Sequence, residues 1–560
     1  MENSNAVMSR IKRVGVLDIG LSIIGIIAAI VGLGIFFWYV WRAGPITING
    51  DSLYEFQDWT KGEPFWKRLF HNGVASWPQS LGLMLDVYVG PYAYWSRFIS
   101  FGLLAIFCIM FFKLTRSVTS APMAAALIGL FVLYWFQPSN GAQSFWYIWR
   151  SVEATSQLVT TGCFAYLIYH QDRLKRHSQY ALILGAFIAS TVHIGYIFFL
   201  LGMVVAIYAE RRRRDQIILI AILAVYMVYM LTLDGTFSSL WNSFMSQGGD
   251  EPRDIVGMGV ATLGLATQFV AGVTGTTNAE GTLLLVRALY IALVSAALVF
   301  AIYKTISRHD RTSMVFLYIV GASFGSLILI VIGRFDQFGI EIKSVPRYFS
   351  YSLIITFAMF WFVTANLHKR ILIAPVIGFL LLGLWLSIGS VRSLGFVIRS
   401  DHFNQSADFS LRLNPELDQP MQGMWERRRR ALQNIMPILI EHGVTGFGNN
   451  RAVEAALAFD PDTQPELPIC DGFIQFKSAD DKSGYHQMDY KYPLGTQDVL
   501  YGIVSSGSEA VAAGRMTYDE RFGIIRFFVP KTVEAPVILV SNGGAEPNYF
   551  CQKPIVYPTD

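Results

Sequence analysis

The stretch Gly333-Arg334-Phe335-Asp336-Gln337-Phe338-Gly339, with the residues that follow it to Ser352, separates two apolar runs at 313–333 and 348–364. Runs of about 20 apolar residues are typical of membrane-spanning helices. The charges between these runs therefore lie at the edge of a membrane domain, where each ion must be solvated or paired. We call residues 333–352 the cationic segment and predict that it is a short polar loop. Its cations are Arg334, Lys343 and Arg347.

The composition is that of a membrane protein with several spans. Of 560 residues, 53% are hydrophobic and 15% are charged, and the mean hydropathy is +0.42. Soluble globular domains carry about 25% charged residues. The net charge of +4 is small, and the basic residues form short blocks beside apolar runs instead of the basic face that nucleic-acid binding needs. We therefore expect a lipid bilayer, and no nucleic acid, as a partner.

The order of apolar runs and basic blocks predicts about eleven spans, with the N-terminus cytoplasmic and the C-terminus outside. The first run, 14–40, ends in aromatic residues and not in a cleavage site, so we expect it to be retained. Basic blocks flank both ends of 179–209, which predicts a hairpin of two short helices with its tip near 191–195. The Gly-rich run 256–275 is predicted to be a half-inserted helix on the outer side. The other predicted spans are 93–112, 119–136, 148–169, 215–233, 282–303, 313–333, 348–364 and 371–391.

The remaining domain boundaries follow from changes in composition. Residues 1–13 are expected to be a cytoplasmic N-terminus, and 14–391 a transmembrane domain with an outer loop at 42–92. Residues 392–465 are predicted to be an extracytoplasmic helical linker region. Short alternating apolar runs separated by Gly, Asn, Ser and Pro predict a β-sandwich over 466–560.

The cysteines predict one disulfide and no metal site. Cys470 and Cys551 both lie in the hydrophilic tail, so an extracytoplasmic tail would allow them to pair. The chain has no CxxC motif and no His/Cys cluster with zinc spacing.

Carboxylates in the first outer loop are the candidate catalytic groups. Asp51, Glu55 and Asp58 follow the first span and could activate an acceptor hydroxyl as a general base, or hold a divalent metal on a phosphate. The structural alternative is an ordinary polar loop in which Asp51 caps a helix. We rank Asp51 first, Asp58 second and Glu55 third.

The cationic segment is the candidate anion-binding site. The guanidinium groups of Arg334 and Arg347 match phosphate oxygens, and Lys343 adds a point charge. Tyr348 offers a hydroxyl or a stacking face. The alternative is that the arginines pair with Asp336 and Glu341 and extend toward lipid head groups.

Four further residues are secondary candidates. Arg150 and Glu153 are three positions apart on a predicted helix, where pairing with each other is the structural alternative to a role in a site. His193 lies at the predicted hairpin tip and is more often a satisfied polar residue between helices. Arg287 lies about one turn inside a span and either extends outward or faces the outer cavity.

Several of these pieces resemble bacterial polytopic inner-membrane proteins of surface-polysaccharide and O-antigen assembly. The resemblance lies in Gly333-Arg334 with Phe338-Gly339, in Pro346-Arg347-Tyr348, in the aromatic opening of the fourth span at 145–157, and in the outer carboxylates. This layout is similar to that of GT-C glycosyltransferases. Two features depart from the pattern. Proline precedes Arg347 where serine is usual, and the first outer loop has no Asp-Asp or Asp-x-Asp pair, so a divalent metal lacks support.

The resemblance implies a GT-C-like membrane domain that transfers a sugar from a polyprenyl-phosphate donor to a glycan or lipid acceptor on the extracytoplasmic side. Arg334, Lys343, Arg347 and Tyr348 would bind the donor phosphate, Asp51 would take the acceptor proton, and the terminal sandwich would position the acceptor. Three alternatives stay open: a Wzy-like polysaccharide polymerase, a non-enzymatic transporter or flippase for a lipid-linked glycan, and an envelope scaffold.

Overall fold

The computed structural model describes residues 2–43, 77–89, 94–137, 148–191, 195–232, 254–270, 280–344, 348–367 and 371–388, short pieces between 406 and 459, and, with gaps, 467–557. The chain divides into two compact units. Unit 1 comprises 1–40, 64–82 and 96–393, and unit 2 comprises 41–63, 83–95 and 394–560. The main boundary, between Ser393 and Leu394, lies close to the end of the predicted transmembrane domain.

Thirteen helices with both bounds given are described before the boundary at 394. They are α1 (Glu2–Ala43), α2 (Trp77–Tyr88), α3 (Tyr94–Val118), α4 (Ala121–Trp135), α5 (Ile148–His170), α6 (Arg176–Ser190), α7 (Gly195–Ala209), α8 (Arg213–Thr232), α9 (Ile255–Ala266), α10 (Glu280–Arg308), α11 (Arg311–Phe338), α12 (Phe349–Asn366) and α13 (Ile371–Ile388). Residues 268–270, directly after α9, are also helical. A 3₁₀ helix, Gly339–Ser344, lies between α11 and α12.

Six of the described helices are long and apolar enough to cross a membrane, which makes the chain a multi-pass membrane protein. The apolar parts of these helices are Leu17–Trp38, Trp95–Val118, Leu284–Arg308, Arg311–Phe335, Phe349–Asn366 and Ile371–Ile388. Three further apolar helices, α4, α7 and α9, are shorter than 18 residues. Among the other predicted spans, α4, α6 and α7 have 15 residues each and α5 is rich in polar residues, so the number of eleven spans stays a prediction.

The predicted hairpin over 179–209 is confirmed. Helices α6 and α7 have 15 residues each and are separated by four. The rings of Phe187 and Phe199, near the ends that the connection joins, lie 6.1 Å apart. At the other ends, Arg176 and Asp215 form an ion pair at 3.2 Å, so the basic blocks that flank the hairpin lie on the same side.

The cationic segment is mostly helical, which corrects the predicted loop. Helix α11 continues through Gly333 to Phe338, so Arg334 is a helical residue. Gly339 ends the helix with φ of 53°, a left-handed conformation that glycine adopts without steric cost. The helix therefore ends at the second glycine of the motif, because Gly333 is only weakly unfavourable inside a helix.

The described strands of unit 2 form one antiparallel sheet in the order β1-β2-β5-β4-β3-β6-β7. The strands are β1 (Phe473–Phe476), β2 (Tyr485–Pro493), β3 (Tyr501–Ser506), β4 (Glu509–Tyr518), β5 (Phe522–Pro530), β6 (Val537–Ser541) and β7 (Tyr549–Pro554). The predicted β-sheet region is confirmed. Strand β4 pairs with β3 over its first part and with β5 only at Met516 to Tyr518, so it joins two halves of the sheet.

Both halves of this sheet contribute to one apolar core, as the two layers of a sandwich do. Met488, Tyr490 and Phe527 belong to one half and Val504 and Val540 to the other, and all are buried in the same cluster. The opposite face of the second half buries Tyr501, Ile503 and Leu539 under the described pieces around Phe409 and Ala456. These pieces belong to the predicted linker region.

A buried ion pair joins two of the described strands. Asp489 and Arg526 stand directly opposite each other on β2 and β5, and Arg526 donates to both carboxylate oxygens at 2.6 and 2.8 Å. Asp489 is only 2% exposed. Because removal of one partner would leave a buried charge, this pair fixes the register of the two strands.

Cys470 and Cys551 form a disulfide with a Cα–Cα distance of 5.1 Å. Both residues are buried, and the backbone N–H of Cys470 donates to the carbonyl of Gln552 beside the bridge. The bridge closes a chain segment of 81 residues that contains all seven strands except the end of β7. It therefore ties the last strand to the segment that precedes the first.

Removal of this bridge by the double substitution Cys470→Ser and Cys551→Ser should lower the free energy of unfolding of unit 2 by about 4 kcal/mol, since the loop is long. Protease resistance of the sheet, followed against temperature in the full chain, measures the change. A reductant should weaken the native chain and leave the double variant unaffected. Cys108→Ala, in α3, is the control and should behave as the native chain; equal resistance of native and double variant would contradict the prediction.

Candidate functional site

Helix α9 is too short to cross a bilayer. It has 12 residues, Ile255–Ala266, with Asp254 as its N-cap and Thr267 as its C-cap. At 1.5 Å per residue it is about 18 Å long, against about 30 Å of hydrocarbon. This length agrees with the half-inserted helix predicted over 256–275. Such a helix must satisfy its terminal backbone groups within the protein.

Hydroxyl groups satisfy the C-terminal end of α9. Ser352, in the first turn of α12 and fully buried, donates to the carbonyl of Ala266 at 2.7 Å and accepts from the N–H of Phe269 at 2.9 Å. The hydroxyl of Thr267 donates to the carbonyls of Leu263 and Gly264. The end of α9 is therefore bonded to α12 by a side chain four residues beyond Tyr348.

The small face of α9 packs directly on the cationic segment. Gly257, Ala261 and Gly264 are buried at helical spacing. A Cβ at Gly257 would lie 2.9 Å from Cζ of Phe335, and one at Gly264 would lie 2.6 Å from Cβ of Lys343. These glycines are seven residues apart, about 10 Å along the helix. Residues 335 and 343 are thus held against one face of one helix.

Arg334 lies at the far end of α11 from Arg311. The two are 23 residues apart in one helix, about 35 Å, which exceeds the hydrocarbon thickness. Arg311 forms an ion pair with Asp172 at 3.1 Å beside the basic block that follows α5. Arg334 and the basic blocks therefore stand at opposite ends of the bundle.

The other predicted anion ligands differ in their surroundings. Lys343 is half-buried and forms no ion pair with any residue that the structure describes. Tyr348 is buried at the N-cap of α12. Arg347 lies outside the described residues, as does the side chain of Asp336, so the part predicted for Arg347 in the anion-binding site stays a prediction.

Helix α5 is a buried helix with many polar residues in its N-terminal half. The side chains from Val152 to Ala165 are all buried. The hydroxyls of Thr155, Thr160 and Thr161 donate to carbonyls of their own helix. The hydroxyl of Ser156 has no hydrogen-bond partner among the described residues. Glu153 is 5% exposed and Gln157 is 1% exposed.

A second buried serine, Ser326 of α11, lies at the same level along the bundle as Ser156 and also has no hydrogen-bond partner among the described residues. Helices α5 and α11 run antiparallel, with the rings of Phe164 and Tyr318 5.9 Å apart. Ser156 lies eight residues before Phe164 in α5, and Ser326 lies eight residues after Tyr318 in α11. Each serine is therefore about 12 Å closer to the Arg334 end than these rings. The hydroxyl of Ser326 is also buried and has no hydrogen-bond partner in the described part of the chain. Sequence analysis missed both serines. For Ser156 the signal was the polar composition of the fourth predicted span, whereas Ser326 lies in a strongly apolar helix that gives no such signal.

The secondary candidates are placed as follows. Glu153 lies about one turn beyond Ser156, toward the Arg334 end. The side chain of Arg150, its predicted partner, lies outside the described residues, and so does His193. Arg287 is half-buried in α10, and its Nε atom has no hydrogen-bond partner among the described residues. Tyr290, one turn farther, is hydrogen-bonded to Thr356 of α12 at 2.8 Å.

The predicted catalytic carboxylates Asp51, Glu55 and Asp58 lie outside the described residues. In the part of the chain that the structure describes, no group of three or more His, Cys, Asp or Glu side chains is arranged to hold a metal ion. The described candidates are thus the cations Arg334 and Lys343, with the buried carboxylate of Glu153 and the hydroxyls of Ser156 and Ser326 deeper in the bundle.

Ser352→Ala should destabilise unit 1 by about 2–4 kcal/mol, because it leaves the Phe269 N–H and the Ala266 carbonyl without a partner in a buried place. Thermal unfolding of the full chain in detergent measures the effect. Ser323→Ala is the matched control, since Ser323 is equally buried but donates only to a carbonyl of its own helix. Equal melting temperatures for the two variants would refute this role of Ser352.

Gly264→Ala should destabilise the contact between α9 and the cationic segment by about 1–3 kcal/mol, since the new methyl group meets Cβ of Lys343, which cannot swing aside. Gly259→Ala, in the same helix but with nothing within 4 Å, should be neutral or slightly stabilising. Thermal unfolding of both variants tests the difference. A Gly264→Ala chain as stable as the Gly259→Ala chain would contradict the close packing.

Comparisons with protein-family models, with curated proteins and with solved structures gave no significant match to this chain. The likeness to GT-C proteins therefore stays an expectation drawn from the residues quoted above. Function must be argued from the chemistry of the site.

Proposed function

We propose that the chain is a membrane glycosyltransferase of GT-C type, which moves a sugar from a polyprenyl-phosphate donor to a glycan or lipid acceptor. One observation carries the proposal. Arg334 and Lys343 belong to a segment packed on a helix that is too short to cross the membrane, at the end of the bundle away from the basic blocks. Cations fixed at a membrane edge suit the phosphate of a lipid-linked donor.

The proposed topology has eleven spans, a cytoplasmic N-terminus and an extracytoplasmic sheet region in the bacterial inner membrane. Two observations support it. The hairpin of α6 and α7 brings the basic blocks on both of its sides to one end, as the positive-inside rule requires of cytoplasmic loops. The disulfide between Cys470 and Cys551 is typical of an oxidising compartment, which supports an extracytoplasmic sheet region.

The proposed chemistry is displacement at the sugar carbon next to the phosphate. The acceptor oxygen forms the new glycosidic bond, the bond from that carbon to the phosphate oxygen breaks, and polyprenyl phosphate leaves with the electron pair. Arg334, Lys343 and Arg347 stabilise the charge that grows on the leaving phosphate, with Tyr348 beside them. A carboxylate takes the acceptor proton. Asp51 is the first choice for this base, and the buried Glu153 is the alternative that the structure adds.

Arg334→Ala should lower the transfer rate by roughly 10²–10³-fold, the usual effect of removing one donor to a developing anion. Arg334→Lys should recover part of the rate, because the charge remains while the forked geometry is lost. Asp51→Asn and Arg347→Ala should abolish transfer with normal protein levels. The measurement is the glycan and lipid-intermediate profile of a deletion strain carrying each variant, with Lys531→Ala, an exposed lysine of the sheet region, as the control.

The same profile separates the alternatives. Loss of a single side-chain sugar supports the transferase. Loss of long chains with intact single units would instead indicate a polymerase, and accumulation of complete lipid-linked units on the inner leaflet would indicate a flippase. A normal profile from both Arg334→Ala and Arg347→Ala would overturn the proposal.

A further inference from the structure

The end of unit 1 opposite Arg334 carries a second cationic surface, which we call the basic face. It comprises residues 113–117, 170–176, 210–216 and 304–311. Three contacts bring these blocks together: Arg311 with Asp172 at 3.1 Å, Arg176 with Asp215 at 3.2 Å, and Ser117 with His170 at 3.3 Å. The basic face is therefore one surface built from four separate parts of the chain.

Carboxylates on the basic face are already engaged. Its blocks hold twelve Lys and Arg residues and four Asp and Glu residues. Asp172 and Asp215 are in the ion pairs above, and Asp310 caps α11. Glu210 accepts from Gln171 and from the backbone N–H of Arg212, both at 2.9 Å.

Most of the cations are exposed and have no counter-charge. The exposed cations that form no ion pair with any described residue are Lys113, Arg116, Arg173, Lys175, Arg211, Arg213, Arg214 and Arg308. Their charges cannot be balanced by the carboxylates of this surface. A ligand of this surface must therefore be anionic.

Two helices begin among these cations, and positive side chains are unfavourable at a helix N-terminus. Helix α8 begins at Arg213, directly after Arg211 and Arg212, with Asp215 as the acidic residue of its first turn. Helix α6 has Lys175 as its N-cap, without a capping side-chain hydrogen bond and without an acidic residue in the first turn. A helix N-terminus carries partial positive charge, so cations there destabilise it. An external anion would relieve this repulsion at both helices.

Tyrosines place this surface at the level of lipid head groups. Tyr180, Tyr208 and Tyr303 are 39%, 49% and 60% exposed, and each lies within a few residues of one of the basic blocks. Tyrosine is enriched where the hydrocarbon meets the head groups. Tyr208 also stacks on His309 of the basic face, with ring centroids 5.5 Å apart. Cations beside such tyrosines are expected to lie near the phosphate layer of a bilayer.

We propose that the basic face binds anionic phospholipid head groups, with Arg211, Arg213 and Arg214 as the main ligands and Arg173 and Lys175 beside them. The occupant is a lipid of the surrounding leaflet, of the phosphatidylglycerol class. The proposal uses none of the residues assigned to sugar transfer, and it holds or fails separately from the proposed function.

The test measures lipid binding to the full chain in neutral detergent by native mass spectrometry, with dioleoyl-phosphatidylglycerol and dioleoyl-phosphatidylcholine as probes. The native chain should prefer phosphatidylglycerol by roughly tenfold or more, given three cations near the phosphates. The triple variant R211Q/R213Q/R214Q should lose most of this preference. It spares Arg176 and Arg212, which lie close to Asp215. The charge-conserving variant R211K/R213K/R214K should keep the preference.

The matched control is the triple variant K491Q/K531Q/K553Q, which removes three cations from the sheet. Its lipid preference should equal that of the native chain. Equal binding of the two lipids by the native chain would overturn the proposal, as would an unchanged preference in R211Q/R213Q/R214Q. Inorganic phosphate that displaces phosphatidylglycerol at equal phosphate concentration would show a free-phosphate site and refute the lipid assignment. If the glutamine variant does not fold, the salt dependence of the native chain provides the test. Its preference for phosphatidylglycerol should decrease when NaCl is raised from about 0.05 to about 0.5 M, because salt screens exposed charges.

Discussion

The fold of unit 1 depends on the hydrogen bonds that satisfy the backbone of α9, a short helix that ends inside the helical bundle. An unpaired N–H or carbonyl in hydrocarbon costs several kcal/mol, so α9 can end within the bundle only where other groups take its hydrogen bonds. The hydroxyl of Ser352 donates to the carbonyl of Ala266, the last residue of α9, and accepts from the N–H of Phe269 just beyond it, while the hydroxyl of Thr267 donates to the carbonyls of Leu263 and Gly264. Because Ser352 belongs to α12 and Tyr348 stands one turn before it, the same bonds fix where the chain re-enters the membrane after the cationic segment.

Charge is separated between the two ends of unit 1 by the length of α11. Asp172 and the buried carboxylates organise many cations at one end, while Arg334 and Lys343 stand at the other. Between them, α5 carries polar side chains through an apolar bundle and satisfies most of its hydroxyls on its own backbone. Intramembrane polar groups are expensive and so mark function more often than packing. The hydroxyls of Ser156 on α5 and Ser326 on α11 have no hydrogen-bond partner among the described residues.

Sequence patterns predicted the features that depend on hydrophobic period and on basic blocks. The hairpin of α6 and α7 followed from the requirement that Arg176 and Arg211 share a side, and the short α9 followed from the same logic. Patterns could not show that Gly339, not Gly333, ends α11, because either glycine is compatible with a helix end. Nor could they show the pairing of Asp489 with Arg526, which depends on strand register across 37 residues. Asp51, Arg347 and His193 lie outside the described residues and stay predictions.

Three helices of unit 1 with both ends described, α4, α6 and α9, have only 15, 15 and 12 residues. Their lengths of about 18–22 Å fall short of the hydrocarbon thickness by roughly 8–12 Å. Helix α4 is mostly buried, but α6 exposes Leu184 and Ile188 on its surface. Lipid beside a helix of this length is expected to thin or to give way to water, at a cost of fractions of a kcal/mol per Å. Host membranes with shorter acyl chains should accommodate the fold with less deformation.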